Sequence, residues 1–351
     1  MYTKKTFTIP QMVKWTRFET LQFLIIITVA VAIYFFLELT WLRVPWTPLA
    51  LIGTAVAFVI GFQNNAAYSR IWEARKIWGG IVNTSRTFGV FVQDMVNNDY
   101  AKTPFKEDDL KKEIKNLTYR HIAWMTALRH SMRETKPWET SIKQKTNHEW
   151  DIRPPEHDSS LEKDIKPYIS ESDYNYILNK NNKQTAILYL QSKHLNELKE
   201  KGIIWEFSFL ELEGVIKELF TLQGKSERIK NFPYPRQFAT LNHLFMWAFV
   251  LLLPLALIPQ FADIGKEISS YNSFIGEYFV WLTIPFYVIV AWIFHTMERI
   301  GRTGENPFEG TANDVPISTI ARGIEIDLRQ NLGESNEDIP SQFLVKLNTQ
   351  F

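Results

Sequence analysis

Gly224-Lys225-Ser226 ends like a phosphate-binding loop, a residue pattern in this sequence that suggests chemistry. Such a loop needs a glycine five residues before Gly224, so that backbone amides can cradle the phosphates. Position 219 is Leu, and the nucleotide-binding reading fails there. The histidines do little better. His121 and His130 share one expected helix, but their spacing does not set two ligands side by side as H-E-x-x-H does. They read as surface or core residues of that helix. His243 and His295 fall in or beside strongly apolar stretches, where an ionisable side chain is a functional candidate by default. Hydrogen bonding between helices is the favoured reading for both. The chain has no cysteine, which removes thiolate nucleophiles, disulfides and cysteine-bound metals. No Ser/His/Asp arrangement and no paired carboxylates stand out, so neither an enzyme nor a cofactor nor a bound metal is expected. A net charge of +1 lacks the basic excess of a nucleic-acid binder.

What remains is a set of polar side chains in an unusual place. Gln63, Asn64, Asn65 and Ser69 follow directly on the apolar block Thr47–Phe62. Roughly sixteen residues at about 1.5 Å rise reach about 24 Å, short of a hydrocarbon core of about 30 Å. The helix is therefore expected to continue through the amides, which lipid penalises and which should face protein or water. Upstream, Thr54, Phe58 and Phe62 fall four residues apart on one stripe, and Asn65 and Ser69 extend it. Beside it runs a stripe of small residues, Gly53, Ala57 and Gly61, of the kind that lets membrane helices approach closely. Two arrangements fit. Either both stripes make ordinary helix contacts, or several copies ring an axis with the small stripe between subunits and the Phe stripe inward. The second would form an apolar constriction able to gate by dewetting, and the positive edges of aromatic rings would tolerate an anion there. The pattern leaves both open.

The elements that must position these residues are four apolar blocks, Leu21–Leu42, Thr47–Phe62, Phe238–Ile258 and Tyr278–Phe294. They lack the polar face of a soluble helix. With the polar extensions, the spans run about 21–42, 47–69, 238–258 and 278–297. Lys4, Lys5, Lys14 and Arg17 precede the first, and Arg70, Arg75 and Lys76 follow the second. Lys225, Arg228, Lys230 and Arg236 precede the third, and Arg299 and Arg302 follow the fourth. The two hairpin loops carry only Arg43 and Lys266. The positive-inside rule then puts both termini and the long middle segment in the cytoplasm, with membrane lipid around the spans. The first span is too long for a cleaved leader and lacks an A-x-A-like end, so it is expected to be retained. Asn83-Thr84-Ser85 and Asn116-Leu117-Thr118 match glycosylation acceptors but fall on the cytoplasmic side.

The regions 70–237 and 298–351 read as a large helical cytoplasmic part. Leu110, Ile114, Leu117, Trp124, Leu128 and Met132 lie close to one helical face, and further amphipathic runs cover Gln184–Lys201 and Phe209–Leu222. The charged, proline-bearing segment 135–164 reads as an irregular loop. Asn313 and Asp314 before Pro316 mark a helix start, followed by the stripe Ile317, Ile320, Ile324, Leu328. The expected fold is an all-α membrane protein with four transmembrane helices.

The stretch from Gly61 to Lys76, Gly-Phe-Gln-Asn-Asn-Ala-Ala-Tyr-Ser-Arg-Ile-Trp-Glu-Ala-Arg-Lys, closely resembles the signature of bacterial bestrophins. Three further stretches are similar to bestrophin segments in the same order. They are Arg120-His121-Ile122-Ala123-Trp124, then Gly224-Lys225-Ser226-Glu227-Arg228-Ile229 with Pro233-Tyr234-Pro235, and finally Glu305-Asn306-Pro307-Phe308-Glu309-Gly310 with Asn313, Asp314 and Pro316. The resemblance covers nearly the whole chain and implies that 1–351 is a single bestrophin-like domain. It further implies a homopentamer in the bacterial inner membrane around one central pore lined by the second span. That pore would conduct monovalent ions passively, chloride first. By position, Thr54, Phe58 and Phe62 become the pore neck, Thr54 standing where the family usually has a bulky apolar residue. Asn64, Asn65 and Ser69 become polar pore-lining residues, and Ile204 becomes a cytoplasmic aperture, or Ile203 if the register slips. Animal members carry a calcium clasp after Asn-Pro-Phe. Here only Glu309 and Asp314 stand in that region, too few for the six to eight oxygens calcium prefers. No calcium gating of the animal kind is expected, and helix capping by Asn313 or Asp314 is favoured instead. The named pore residues are uncharged, so a monovalent-cation channel of the same fold stays open. A transporter kinked at Pro254 and Pro285, or a signalling protein, is the further alternative.

Overall fold

The computed structural model describes residues 1–139 and 153–351; residues 140–152, within the expected irregular loop, lie outside the described residues. Among the described residues the regular elements are helices, with only isolated β-bridges besides. The long helices in chain order are α1 (Ile9–Phe36), α2 (Trp46–Met95), α3 (Glu107–Arg133), α4 (Lys183–Glu200), α5 (Glu206–Asn231), α6 (Arg236–Ser269), α7 (Thr283–Thr303) and α8 (Ile317–Asn331). They are distributed over two compact units. One comprises Lys4–Ser69 and Pro233–Glu305, the other Met1–Thr3, Arg70–Phe232 and Asn306–Phe351.

The first unit is apolar. Its helices α1 and α6, the first part of α2, and the helical stretch Ser273–Thr303 that ends in α7 are long and apolar enough to cross a membrane. Thr8 caps α1 in a reciprocal box: its hydroxyl accepts from the Gln11 amide, and Gln11 Oε1 accepts from the Thr8 amide at 2.9 Å. Such a box satisfies amides that a helix start leaves open. A stripe of Thr16, Phe23, Ile27 and Val31 is buried, and Trp292 Nε1 donates to Thr16 Oγ1 at 3.0 Å. Tyr287 on α7 donates its hydroxyl to the Val250 carbonyl of α6 at 3.1 Å. Pro254 lies inside α6, where it removes a ladder hydrogen bond. Pro285 falls in the first turn of α7, directly after a tighter 3-10 turn at Phe279–Leu282.

The second unit is built on α3. Its expected stripe is present, with Leu117, Trp124, Leu128 and Met132 buried and Leu110 and Ile114 half-buried at the fringe. Trp124 Nε1 donates to Gln223 Oε1 of α5 at 3.0 Å. Gly224-Lys225-Ser226 sits inside α5, so the phosphate-loop look-alike forms no loop. Gly202 turns the chain between α4 and α5 with φ +74°, and a Cβ there would strike the Tyr100 carbonyl; glycine alone suits both demands. The expected capping of α8 by Asn313 or Asp314 is not what the structure shows. Asp314 does not cap α8, whose N-cap is Pro316 without a side-chain bond. It accepts from the amides of Gly310 and Thr311 at 2.7 and 2.8 Å and from the Thr311 hydroxyl at 2.8 Å. A short carboxylate reaches its own turn more readily than the next helix.

Candidate pore-lining face

Helix α2 does not stop at Phe62 but runs on through the amides to Met95. Pro48 falls in its first turn and costs no ladder bond. Within the apolar unit, which ends at Ser69, the helix has two faces. Gly53, Val56, Ile60, Gln63 and Ala67 recur at three- and four-residue steps and are buried. Thr54, Phe58, Phe62, Asn65 and Ser69 recur at the same steps and are exposed, Phe58 at 65 % and Phe62 at 70 %. Thr54 and Ser69 turn their hydroxyls back to the Ala50 and Asn65 carbonyls, each at 2.9 Å. Their donors are thereby satisfied within the helix. Ala57 and Gly61 flank the Phe stripe, and together with it and Phe249 and Phe294 they line an open groove of about 770 Å³.

The buried face is fixed by a polar network that sequence reasoning missed. Gln63, only 1 % exposed, accepts from Asn242 Nδ2 of α6 at 3.0 Å and donates Nε2 to Glu305 Oε1 at 3.3 Å. Arg236 closes the chain by donating to Glu305 Oε2 at 2.7 Å. The available signal was an unpaired-looking glutamine at a core position of a membrane helix, with Asn242 as the matching amide in the third apolar block. Gly53 presses against Phe249: a Cβ on it would lie 2.7 Å from that ring. Gly61 has nothing within 4 Å of the same position. The small-residue stripe is thus split, one end packed within the subunit and the other open.

Two expected site residues stand elsewhere. Asn64 is off the exposed stripe; its carboxamide is buried against Gly301 of α7 without a hydrogen bond. One residue is about 100° of helix, so of three neighbouring amides only Asn65 shares the phase of Phe62. Ile204 is 1 % exposed in the core of the other unit, held by a backbone bridge to Val96, and Ile203 is buried beside it. The turn after Gly202 folds both side chains inward in the single chain. Two signature residues beyond Ser69, Arg70 and Glu73, make bonds within the other unit. Arg70 Nη2 donates to the Ile229 and Phe232 carbonyls, both at 3.0 Å, placing a cation at the negative end of α5. Glu73 pairs with Arg228 at 2.6 Å.

His243 and His295 do not make the expected helix-to-helix hydrogen bonds. His295 lies edge-on to Phe23 at 5.5 Å and Trp247 at 6.1 Å. His243 Nδ1 stands 3.4 Å from Glu298 Oε1 without a bond.

Among known families, residues 12–330 match the bacterial/fungal bestrophin proteins. The chain belongs to that bestrophin family. A voltage-dependent anion channel-forming protein of Escherichia coli is 24 % identical over 297 residues, 85 % of this chain and 79 % of that protein. Another of Ralstonia nicotianae is 25 % identical over 288 residues, 82 % of this chain and 78 % of that protein. Among solved structures, a bacterial bestrophin homologue from Klebsiella pneumoniae superposes with a TM-score of 0.72 at 20 % identity, covering 91 % of this chain and 98 % of that one. The bestrophin fold and its four membrane-length helices mark this as a membrane protein.

Proposed function

We propose that this bestrophin forms an anion channel and not an enzyme: five copies around one axis in the bacterial inner membrane, conducting chloride. Both termini and the regions 70–237 and 298–351 would face the cytoplasm, and 1–351 would work as one functional domain. The observation that carries this reading is one exposed stripe on which Phe58 and Phe62 run in phase with the polar Asn65 and Ser69. It lies on a helix whose opposite face is locked by Gln63. Apolar rings on a rigid, in-phase stripe suit a neck that dries when narrow, and their edges offer positive partial charge to an anion. Thr54 would form the outer end of the neck, and Asn65 and Ser69 would supply polar contacts below it. The channel-forming names of the two relatives support the anion assignment.

The test is the reversal potential of the purified protein in planar bilayers under a potassium chloride gradient. Reversal near the chloride equilibrium potential is expected. Reversal near the potassium potential would keep a pore and overturn its selectivity; no current would count against the channel itself.

A further inference from the structure

Glu298 on α7 has a side chain with 0 % exposure, and neither carboxylate oxygen has a hydrogen bond. An ionised carboxylate in an apolar interior needs paired charge and hydrogen bonds to offset lost solvation. Here it has only loose charge. His243 Nδ1 of α6 lies 3.4 Å from one oxygen and Arg302 Nη2 lies 3.6 Å from the other. The remaining ionisable groups of the unit nearby are engaged or held apart. From α1, Glu19 accepts from Arg299 Nη1 at 2.9 Å, and that guanidinium stacks over Trp15 at 4.3 Å. On α7, His295 is boxed by Phe23 and Trp247. From α2, the amides of Gln63 and Asn64 lie against Gly301.

We propose that Glu298 and His243 form a proton-binding site whose occupancy controls current through the pore. This rests on the channel reading above. Transfer of a proton from hydronium to the His243 ring breaks one O–H bond of the hydronium and leaves water. The ring becomes cationic opposite the Glu298 carboxylate, and the gap of 3.4 Å closes to a charge-assisted N–H···O hydrogen bond. That closure draws α6 toward α7 at His243. The preceding residue, Asn242, holds Gln63 of α2 at 3.0 Å, and Gln63 follows Phe62. The proton site and the candidate neck are therefore joined by two consecutive residues on each helix.

The experiment pairs two readouts on the full-length protein. Currents in planar bilayers are recorded as symmetric pH is stepped from about 8 to about 5, for the wild type, E298Q and H243Q. Infrared titration of the same three proteins follows the carboxyl band. The wild type should change its current several-fold and show a carboxyl or imidazolium signal that titrates in the same range. Both variants should conduct with that dependence flattened, and the titrating signal should be lost. A pH response that persists in both variants, or is absent from the wild type, overturns the control of current. If the wild type passes no current at any pH, the channel reading fails instead. The infrared signal then decides the site alone: its loss in E298Q and H243Q upholds proton binding, and its absence from the wild type overturns it.

Discussion

His121 shows what a single residue can cost a fold. Its ring is stacked between Phe88 at 4.9 Å and Trp124 at 5.3 Å, and neither nitrogen has a hydrogen bond. Burial pushes its pKa down to about 3. Unfolded, an ordinary imidazole takes a proton below about pH 6.5. The unfolded chain therefore binds the proton first, and the folded state loses stability as pH falls from there toward about 3. The slope is at most about 1.4 kcal/mol per pH unit from this group. Replacing His121 with Phe keeps a flat ring between the same neighbours and removes two unsatisfied polar atoms, each of which costs about 1–3 kcal/mol when buried. H121F should raise the thermal midpoint of the detergent-solubilised protein and flatten its decline between pH 6.5 and 4, measured against the wild type. An unchanged decline would mean that other groups carry it. Glu156 changes stability in the same direction with pH, through a different cause. Burial opposes its charge, but Arg133 and Arg129 outweigh that and hold its pKa below the ordinary carboxylate value. Its contribution is present above the unfolded value and fades as pH drops below it.

At the scale of an element, the orientation of α2 decides which side chains face out. Gly53 and Gly61 look equivalent in sequence, eight residues apart on one small-residue stripe, yet their surroundings differ. A methyl on Gly53 meets Phe249 at 2.7 Å, and one on Gly61 meets nothing. G53A should therefore destabilise the subunit by about 1–3 kcal/mol through overpacking, whereas G61A should leave subunit stability unchanged, both read by thermal denaturation in detergent. Equal losses in the two would show that Gly61 also packs closely, in which case a neighbouring copy is the contact. The same helix shows how far the sequence could be read. Its continuation past Phe62 and the in-phase grouping of Phe58, Phe62 and Asn65 were legible, because a helical period and a membrane thickness suffice to derive them. The inward turn of Asn64 and the Gln63–Asn242–Glu305 network were not, because they depend on which helix lies opposite. The burial of Ile204 was illegible for a related reason. A short turn after Gly202 has no period, so nothing in the residues themselves tells an inward side chain from an outward one.

At the scale of the whole molecule, a stripe of exposed rings has two possible surroundings, lipid or an aqueous lumen. An apolar ring is comfortable in lipid, so exposure of Phe58 and Phe62 in one chain does not choose between them. Asn65 and Ser69 on the same stripe do favour water or protein, since lipid offers no partner to an amide. The absence of cysteine allows a direct test on a silent background. Single replacements Thr54→Cys, Phe58→Cys, Phe62→Cys, Asn65→Cys and Ser69→Cys should react with a charged, water-soluble thiol reagent and reduce the current as they do. Val56→Cys and Ile60→Cys, on the buried face, should not react. The informative result is the period. Reactivity recurring every three to four residues is what a helix with one wetted face gives, and a wetted face inside a membrane protein requires a lumen. Reaction at Asn65 and Ser69 alone would place water only at the end of the helix, and would remove Phe58 and Phe62 from the pore.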